Sequence, residues 1–331
     1  MPSTTMPSTS KRNRMDRAGA SRSNKTRPAA APPPDLDLFC TTSAGEDARC
    51  SLWWHGTPSH DGHRVGLIGR WQAPAGPASE AAEKLLRLAA HELRSQGCTL
   101  AVGPMDGATW QPYRFVTESG THPPFFLEPY SPPAFAAQFE RAGFAPIAHY
   151  RSAIVPNLGR LRTNRTNALA HLASHGLRLR PLDGVDDEAE ALYALTQRCF
   201  ADNFLYTPLP FQAFRAELRK LEPHLRPELT LVAKQHDEPV GFVLMVPDLL
   251  QQMRGEHVDT VVIKTLAVDP RLSGRGIGSA LVNRAHSLAR EHGFRRVIHA
   301  LMHEANPSSR ISAHHGATIR RYALFAKPLG S

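Results

Sequence analysis

Val268-Asp269-Pro270-Arg271-Leu272-Ser273-Gly274-Arg275-Gly276-Ile277-Gly278-Ser279-Ala280-Leu281 is the stretch that decides how this chain is read. An apolar run ends at Pro270, glycines alternate at 274, 276 and 278, and a helical pattern begins at once, which predicts strand, loop and helix in that order. Glycines lack a Cβ and let main-chain N–H groups approach a ligand closely, and the helix start behind them adds about half a positive charge. The expected guest is a phosphate. A dinucleotide fingerprint fails because Ser279 stands where its third glycine belongs, and a P-loop fails because no Lys follows the glycines.

The pattern that fits is the acyl-CoA loop of the GNAT superfamily of N-acetyltransferases, which this segment resembles. That pattern runs strand, V-x-P-x-x-[RQ]-G-x-G-x-G, helix; Val268, Pro270, Gly274, Gly276 and Gly278 fall in register, and Ser273 stands where Arg or Gln is usual. The resemblance implies an acetyl-CoA-dependent N-acetyltransferase that passes an acyl group directly from CoA to a primary amine, with acetyl-CoA as co-substrate and no metal. It implies that the main chain of Leu266 and Val268 holds the pantetheine arm like an added strand. It also places the pyrophosphate on the amides of Gly274, Arg275, Gly276, Ile277, Gly278 and Ser279, with Arg275 as a source of charge. Asn306 matches a family Asn that touches the arm, and reads equally well as a helix cap before Pro307.

Two family features are missing. The usual acid, a Tyr early in the helix after the Asn, has no counterpart in Ser308 to His315, and the usual base, a Glu on the strand before the loop, is replaced by a run offering only Lys264 and Thr265. Tyr322 reads as a packed residue of the last strand. His303 and Glu304, at the end of the next strand, are therefore the candidate catalytic residues, with solvated loop residues as the alternative. The gaps keep a second class open, a non-catalytic acyl-CoA-binding or regulatory protein, which would bind CoA tightly and turn over no amine.

Outward from the loop, a hairpin (228–234 and 239–246), a strand (260–268), a helix (279–292), a strand (296–302), a short helix (307–315) and a strand through Tyr322 follow the GNAT order over about 177–328. A weaker echo lies upstream: helix 79–96 closed by Gly97, strand 99–102, short helix 134–142, Gly143-Phe144 and strand 150–155. Its loop 73–79 lacks alternating glycines, so no CoA is expected there. The expected fold is α/β (an α+β mixed sheet), a GNAT fold splayed between its fourth and fifth strands, with two GNAT-like lobes in tandem; generic α/β alternation is the competing account of the echo. The expected organisation is a disordered basic tail (1–36), an N-terminal lobe (37–160), a linker helix (161–176) and an acetyltransferase domain (177–331). In the first lobe Trp110, Tyr113, Arg114 and Glu128 sit in irregular chain, as a second pocket or as a packed loop with an internal ion pair. The loop Asp202 to Pro208 occupies the acceptor side.

The 331 residues carry a net charge of +9, of which +6 falls in residues 1–34, so a nucleic-acid partner is expected only through that tail and the tail reads first as disordered. No apolar run nears the ~20 residues of a membrane span and the start has no secretory h-region, so the expected location is cytoplasmic, with no membrane contact. Cys40, Cys50, Cys98 and Cys199 lack metal spacing and read as reduced thiols, and the 17 histidines lack H-E-x-x-H. The acceptor amine and the oligomeric state are not legible.

Overall fold

In a computed structural model, which describes residues 17–21, 32–161 and 165–330, the first half runs β1 (Arg17–Ser21), β2 (Leu36–Thr41), β3 (Asp47–Trp53), β4 (Ser59–His60), β5 (His63–Gln72), α1 (Glu80–Ser95), β6 (Leu100–Gly103), β7 (Phe115–Glu118), α2 (Ala134–Arg141) and β8 (Ala145–Val155). Helix α3 (Arg165–Ser174) leads into β9 (Leu177–Pro181), α4 (Val185–Phe200), α5 (Phe211–Leu221), β10 (Thr230–Gln235), β11 (Glu238–Pro247) and α6 (Leu249–Met253). The chain ends with β12 (Thr260–Val268), α7 (Ile277–Glu291), β13 (Arg296–His303), α8 (Pro307–Ala313) and β14 (Ala317–Pro328). Helix α1 shows the local logic. Ser79 Oγ accepts from Ala82 N at 3.2 Å to start it, Leu85, Leu86, Ala89 and Leu93 bury one stripe, and Gly97 at φ +80° ends it.

The sheet order is β1-β2-β3-β5-β6-β14-β8-β13-β12-β11-β10-β9, with β4 beside β5 and β7 beside β14. The two halves thus exchange their last strands. β8, from the first half, lies against β13, while β14, from the second, runs between β6 and β8. The pairing of β14 with β8 extends from Ala317 opposite Ile154 to Ala326 opposite Ala145. A shared core cements the seam: Trp53, Val65, Tyr150, Leu205, Tyr322 and Leu324 pack together across the halves.

Each half contains one parallel joint, β5 with β6 and β12 with β13. The first holds over Val65–Leu67 against Leu100–Val102, and beyond it the chain fills its own gap. Met105 N donates to Ile68 O at 2.9 Å and Arg70 N donates to Asp106 Oδ1 at 2.5 Å. Gly69 permits this, since a Cβ there would lie 2.3 Å from Met105 O. The second joint stays open.

The basic arm expected to be disordered differs at one point: Arg17–Ser21 pair antiparallel with Asp37–Thr41. An edge strand presents unpaired main-chain groups, and β2 takes this segment as its partner. Residues 1–16 and 22–31 of that arm lie outside the described residues. Strands β2 and β7 and helix α6 also form where loop or arm was expected. The four cysteines are free thiols. No helix among the described residues is long and apolar enough to cross a membrane.

Candidate functional site

The glycine loop is anchored at its entrance by Asp269. This fully buried carboxylate accepts from Arg271 N (3.0 Å), Arg271 Nε (2.9 Å), Arg271 Nη2 (2.8 Å) and Arg198 Nε (3.0 Å). The hydrogen bonds from Arg271 hold its carboxyl well below the usual range. Arg271 also reaches Glu238 at 2.7 Å, so its charge is committed to the turn.

Beyond the turn, Gly274 and Gly276 take φ values of +77° and +70°, which other residues adopt only under strain. A Cβ on Gly274 would meet nothing within 4 Å: the loop faces open space. The amides from Gly274 to Ser279 have no acceptor among the described residues, as expected for a helix start awaiting an anion. Helix α3 shapes this cradle. His171 Nε2 donates to Arg275 O at 2.8 Å, and because C=O and N–H point oppositely in a trans peptide, the Gly276 N–H is turned away from α3. A Cβ on Gly276 would lie 3.2 Å from His171 Nε2.

Above the loop, β12 pairs with β13 only over Thr260–Ile263 against Arg296–His299. From Lys264, where β12 bulges, to Val268 it keeps β11 alone. The outer main-chain edge containing Leu266 and Val268 therefore borders a gap. On the far wall β13 bulges between His299 and Met302, and Leu301 takes φ +55°. Leu301 N donates to Ser152 Oγ (3.0 Å), and Leu301 O accepts from Arg114 Nη1 (3.1 Å). Ser152 Oγ in turn lies 3.1 Å from Tyr322 OH, which donates to Glu128 Oε1 at 2.5 Å. Glu128 is ion-paired with Arg320 at 2.8 Å, both buried. Tyr322 is thus packed and engaged, its phenol pushed up by burial and by Glu128. The internal ion pair considered for Glu128 exists, with Arg320 and not with Arg114.

His303 closes the mouth of the gap. Its ring stands edge-on to Tyr150 (4.9 Å) and 5.9 Å from Phe204 of the α4–α5 loop. Burial, then the Arg114 charge, pushes its pKa below the usual imidazole value, so the ring is neutral near pH 7. Its Nδ1 accepts from Ala305 N at 3.1 Å, which puts the remaining proton on Nε2. His303 is therefore a hydrogen-bond donor in this arrangement. Glu304 is held by Arg321 at 2.6 Å. Asn306 precedes α8 without capping it and donates through Nδ2 to Asn203 Oδ1 at 3.3 Å. The sidechain of Arg275 is exposed beside the loop.

Sequence reasoning passed over Lys264, His171 and the position of Arg114. Lys264 is accessible to solvent yet ringed by protein, and this surrounding lowers its ammonium pKa while Glu217 partly restores it. Tyr113 and Arg114 reach the same face of the gap from the first half.

A mixed sheet opened between two parallel strands, with a glycine-cradled helix start below the opening, defines a GNAT-type α/β fold. Residues 189–314 match the acetyltransferase (GNAT) family, and the chain carries a GNAT domain there. Peptidyl-lysine N-acetyltransferase YjaB of Salmonella typhimurium is 36% identical over 107 residues, covering 31% of this chain and 61% of the relative. Its Escherichia coli counterpart is 35% identical over 80 residues, covering 24% and 46%. The chain therefore spans less than two thirds of the length of these curated relatives. Among solved structures, a GCN5-related glucosamine N-acetyltransferase region of a fungal multi-domain GH3 β-N-acetylglucosaminidase superposes over 88% of this chain and 33% of its own (TM-score 0.57, 15% identity). A GCN5-related N-acetyltransferase from Sphaerobacter thermophilus superposes over 89% and 81% (TM-score 0.52, 14% identity). At these identities the likeness shows the fold alone.

Proposed function

We propose that this protein is an acetyl-CoA-dependent N-acetyltransferase that moves an acyl group directly from CoA to a primary amine, in the cytoplasm. The observation that carries the reading is the joint of β12 and β13, which parts after four residue pairs directly above six unpaired amides. The residues fit the co-substrate. Leu266 and Val268 offer a free main-chain edge to an amide-bearing arm, and Gly274 to Ser279 offer N–H groups to a pyrophosphate. Ser273 supplies no cation, and the His171 contact supports the cradle in its place.

In the transfer the amine nitrogen bonds to the thioester carbon, the C–S bond breaks, and the proton lost by the amine balances the one gained by the thiolate. His303 Nε2–H is the donor placed at the mouth to stabilise developing negative charge. No dedicated carboxylate base is needed if the cleft itself favours the neutral amine. Arg114 and Lys264 do this, because neighbouring cations lower the pKa of an incoming ammonium. Glu304, tied to Arg321, shapes the mouth.

Two substitutions test the cradle. Gly276→Val puts a β-branched residue at φ +70° and a Cβ against His171, and is expected to abolish the thermal stabilisation that acetyl-CoA gives the parent. His171→Ala frees the Arg275 carbonyl and is expected to weaken acetyl-CoA about 5- to 10-fold, in line with the loss of one hydrogen bond of about 1–1.5 kcal/mol. If Gly276→Val is stabilised like the parent, the loop is not the pyrophosphate site.

A specific observation favours a second reading, an acyl-CoA-binding regulator: the carboxylate beside His303 is ion-paired and the histidine is a donor. Tight CoA binding with no thiol release on any amine would select it.

A further inference from the structure

On the acceptor face of the gap a guanidinium is buried without a carboxylate. Arg114 is 8% exposed, and among the described residues it has no Asp or Glu partner; Arg320, equally buried at 5%, is matched by Glu128. An unmatched cation in a low-dielectric interior is costly, and the surroundings compensate Arg114 only in part. Its guanidinium lies 3.7 Å from the Tyr113 ring centre and 4.1 Å from that of Tyr150, so both rings hold it. Nε donates to Tyr113 O (3.3 Å) and Nη1 to Leu301 O (3.1 Å). Nη2 has no partner among the described residues, and it is not among the sealed polar atoms, so water reaches it. Aromatic rings and carbonyls thus fix the group, and one donor edge stays open.

The backbone adds to this. Arg114 sits at φ +71°, a conformation that costs a bulky residue strain and that glycine would take freely. The open edge belongs to the gap: Leu301 is the bulge of the β13 wall, and the Tyr150 ring touches both Arg114 and His303. On the β12 wall Lys264 is a second cation with no hydrogen bond or ion pair among the described residues. The nearby carboxylates are engaged, Glu304 by Arg321 and Glu217 by Lys220. The cleft lacks a negative charge, and the reaction requires an amine.

We propose that Arg114 is a carboxylate-binding residue of the acceptor site, so that the acyl acceptor is a primary amine that also bears a carboxylate, an amine of the amino-acid class. This rests on the acetyl-transfer reading. One open edge, offering Nη2 and the remaining Nη1 hydrogen, matches the two oxygens of a single carboxylate. A phosphate dianion would need donors on more sides than the two tyrosines leave. The cations also favour loss of the ammonium proton, since the bound acceptor then carries one net negative charge between Arg114 and Lys264.

The test uses the full chain with acetyl-CoA and matched acceptors: glycine, β-alanine and 4-aminobutanoate against their amides, with Nα-acetyl-lysine amide as the peptide-like amine. At least one acid is expected to be acetylated with kcat/KM tenfold or more above its amide. Arg114→Gln is expected to erase most of that preference for the acid over its amide, chiefly by raising the KM for the acid about 30-fold, on top of any loss of kcat common to all acceptors, and Arg114→Lys to fall between. Amides or the peptide-like lysine accepted as well as the acids would overturn the proposal, as would an equal loss on every acceptor in Arg114→Gln. If no amine is acetylated, calorimetric titration of the three acids into CoA-saturated protein decides: heat in the parent that vanishes in Arg114→Gln supports the subsite, and no heat in the parent overturns it. A parent that does not bind acetyl-CoA would sink the transferase reading instead, and the same titration without CoA would still report on Arg114.

Discussion

Residues 165–331, expressed without the first half, are expected to show no cooperative unfolding transition and no stabilisation by acetyl-CoA. Every strand that borders β13 and β14 on the far side of the seam comes from the first half: β8 for β13, and β6, β7 and β8 for β14. Removing them exposes Tyr322, Leu324 and Phe325, all fully buried, and strips Tyr322 of Glu128 and Ser152. At roughly 1.5–3 kcal/mol for each large apolar side chain returned to water, these three alone forfeit an amount comparable to the total stability of about 5–15 kcal/mol typical of a domain. Supplying residues 1–164 as a separate chain is expected to restore both the transition and the ligand response. A sharp melt of 165–331 alone, shifted upward by acetyl-CoA, would show that the exchanged strands are dispensable.

The second large effect is acid lability above the carboxylate range. His286 on α7 and His299 on β13 are buried with Nε2 atoms 2.8 Å apart, and the His315 ring lies 5.0 Å from that of His286. One of the pair donates and the other accepts, so both are neutral. Burial, followed by the His315 charge, pushes His299 down to about 3, and burial with His299 and His315 pushes His286 well below its usual value. A histidine with a depressed folded value stays neutral while the unfolded chain takes up a proton below about 6.5, so stability falls as pH drops from about 6.5 toward 3. At pH 5 the cost is about 2 kcal/mol for His299, and His286 acts in the same direction. His303 and His122, also lowered, act in the same direction. The paired carboxylates Asp269 and Asp259 contribute only at lower pH, because their folded values are depressed and their stability is present above about 4. Denaturant midpoints at pH 7.5 and pH 5 measure this, and the double variant His286→Leu, His299→Leu is expected to flatten most of the difference. An unchanged slope in that variant would place the acid sensitivity elsewhere.

What could be read from the sequence was local. Thr260–Val268 was anticipated at both ends because an apolar run is bounded by turn residues, and the loop because alternating glycines have few physical uses. Helix α1 was legible from one apolar stripe with a Ser start and a Gly stop. The partners of β14 were not, since nothing in Ala317–Pro328 encodes that its neighbours lie about 170 and 220 residues upstream; strand pairing at that distance is settled by the assembled sheet. Arg114 was singled out with the wrong partner in view. An Arg after a Tyr in irregular chain says nothing of the positive φ, or of the carbonyl 187 residues away that it would find. His171 lay in a helix read only as a linker, and its service to the glycine loop exists only once α3 packs on α7. Strand β1 was hidden by composition: a basic, polar arm carries no apolar pattern, and strand pairing runs through main-chain groups that composition does not report.

The plug formed by Met105 and Asp106 fixes a stoichiometry. A chain with two parallel-strand gaps has, in principle, two places where a thioester arm could lie as an extra strand. In one of them Ile68 O already accepts from the protein's own backbone and Arg70 N already donates to its own carboxylate. On the proposed reading each polypeptide therefore handles one acyl group at a time. On the same reading the first half, relieved of holding a co-substrate, is free to furnish the walls of its neighbour's acceptor site through Tyr113, Arg114 and Tyr150.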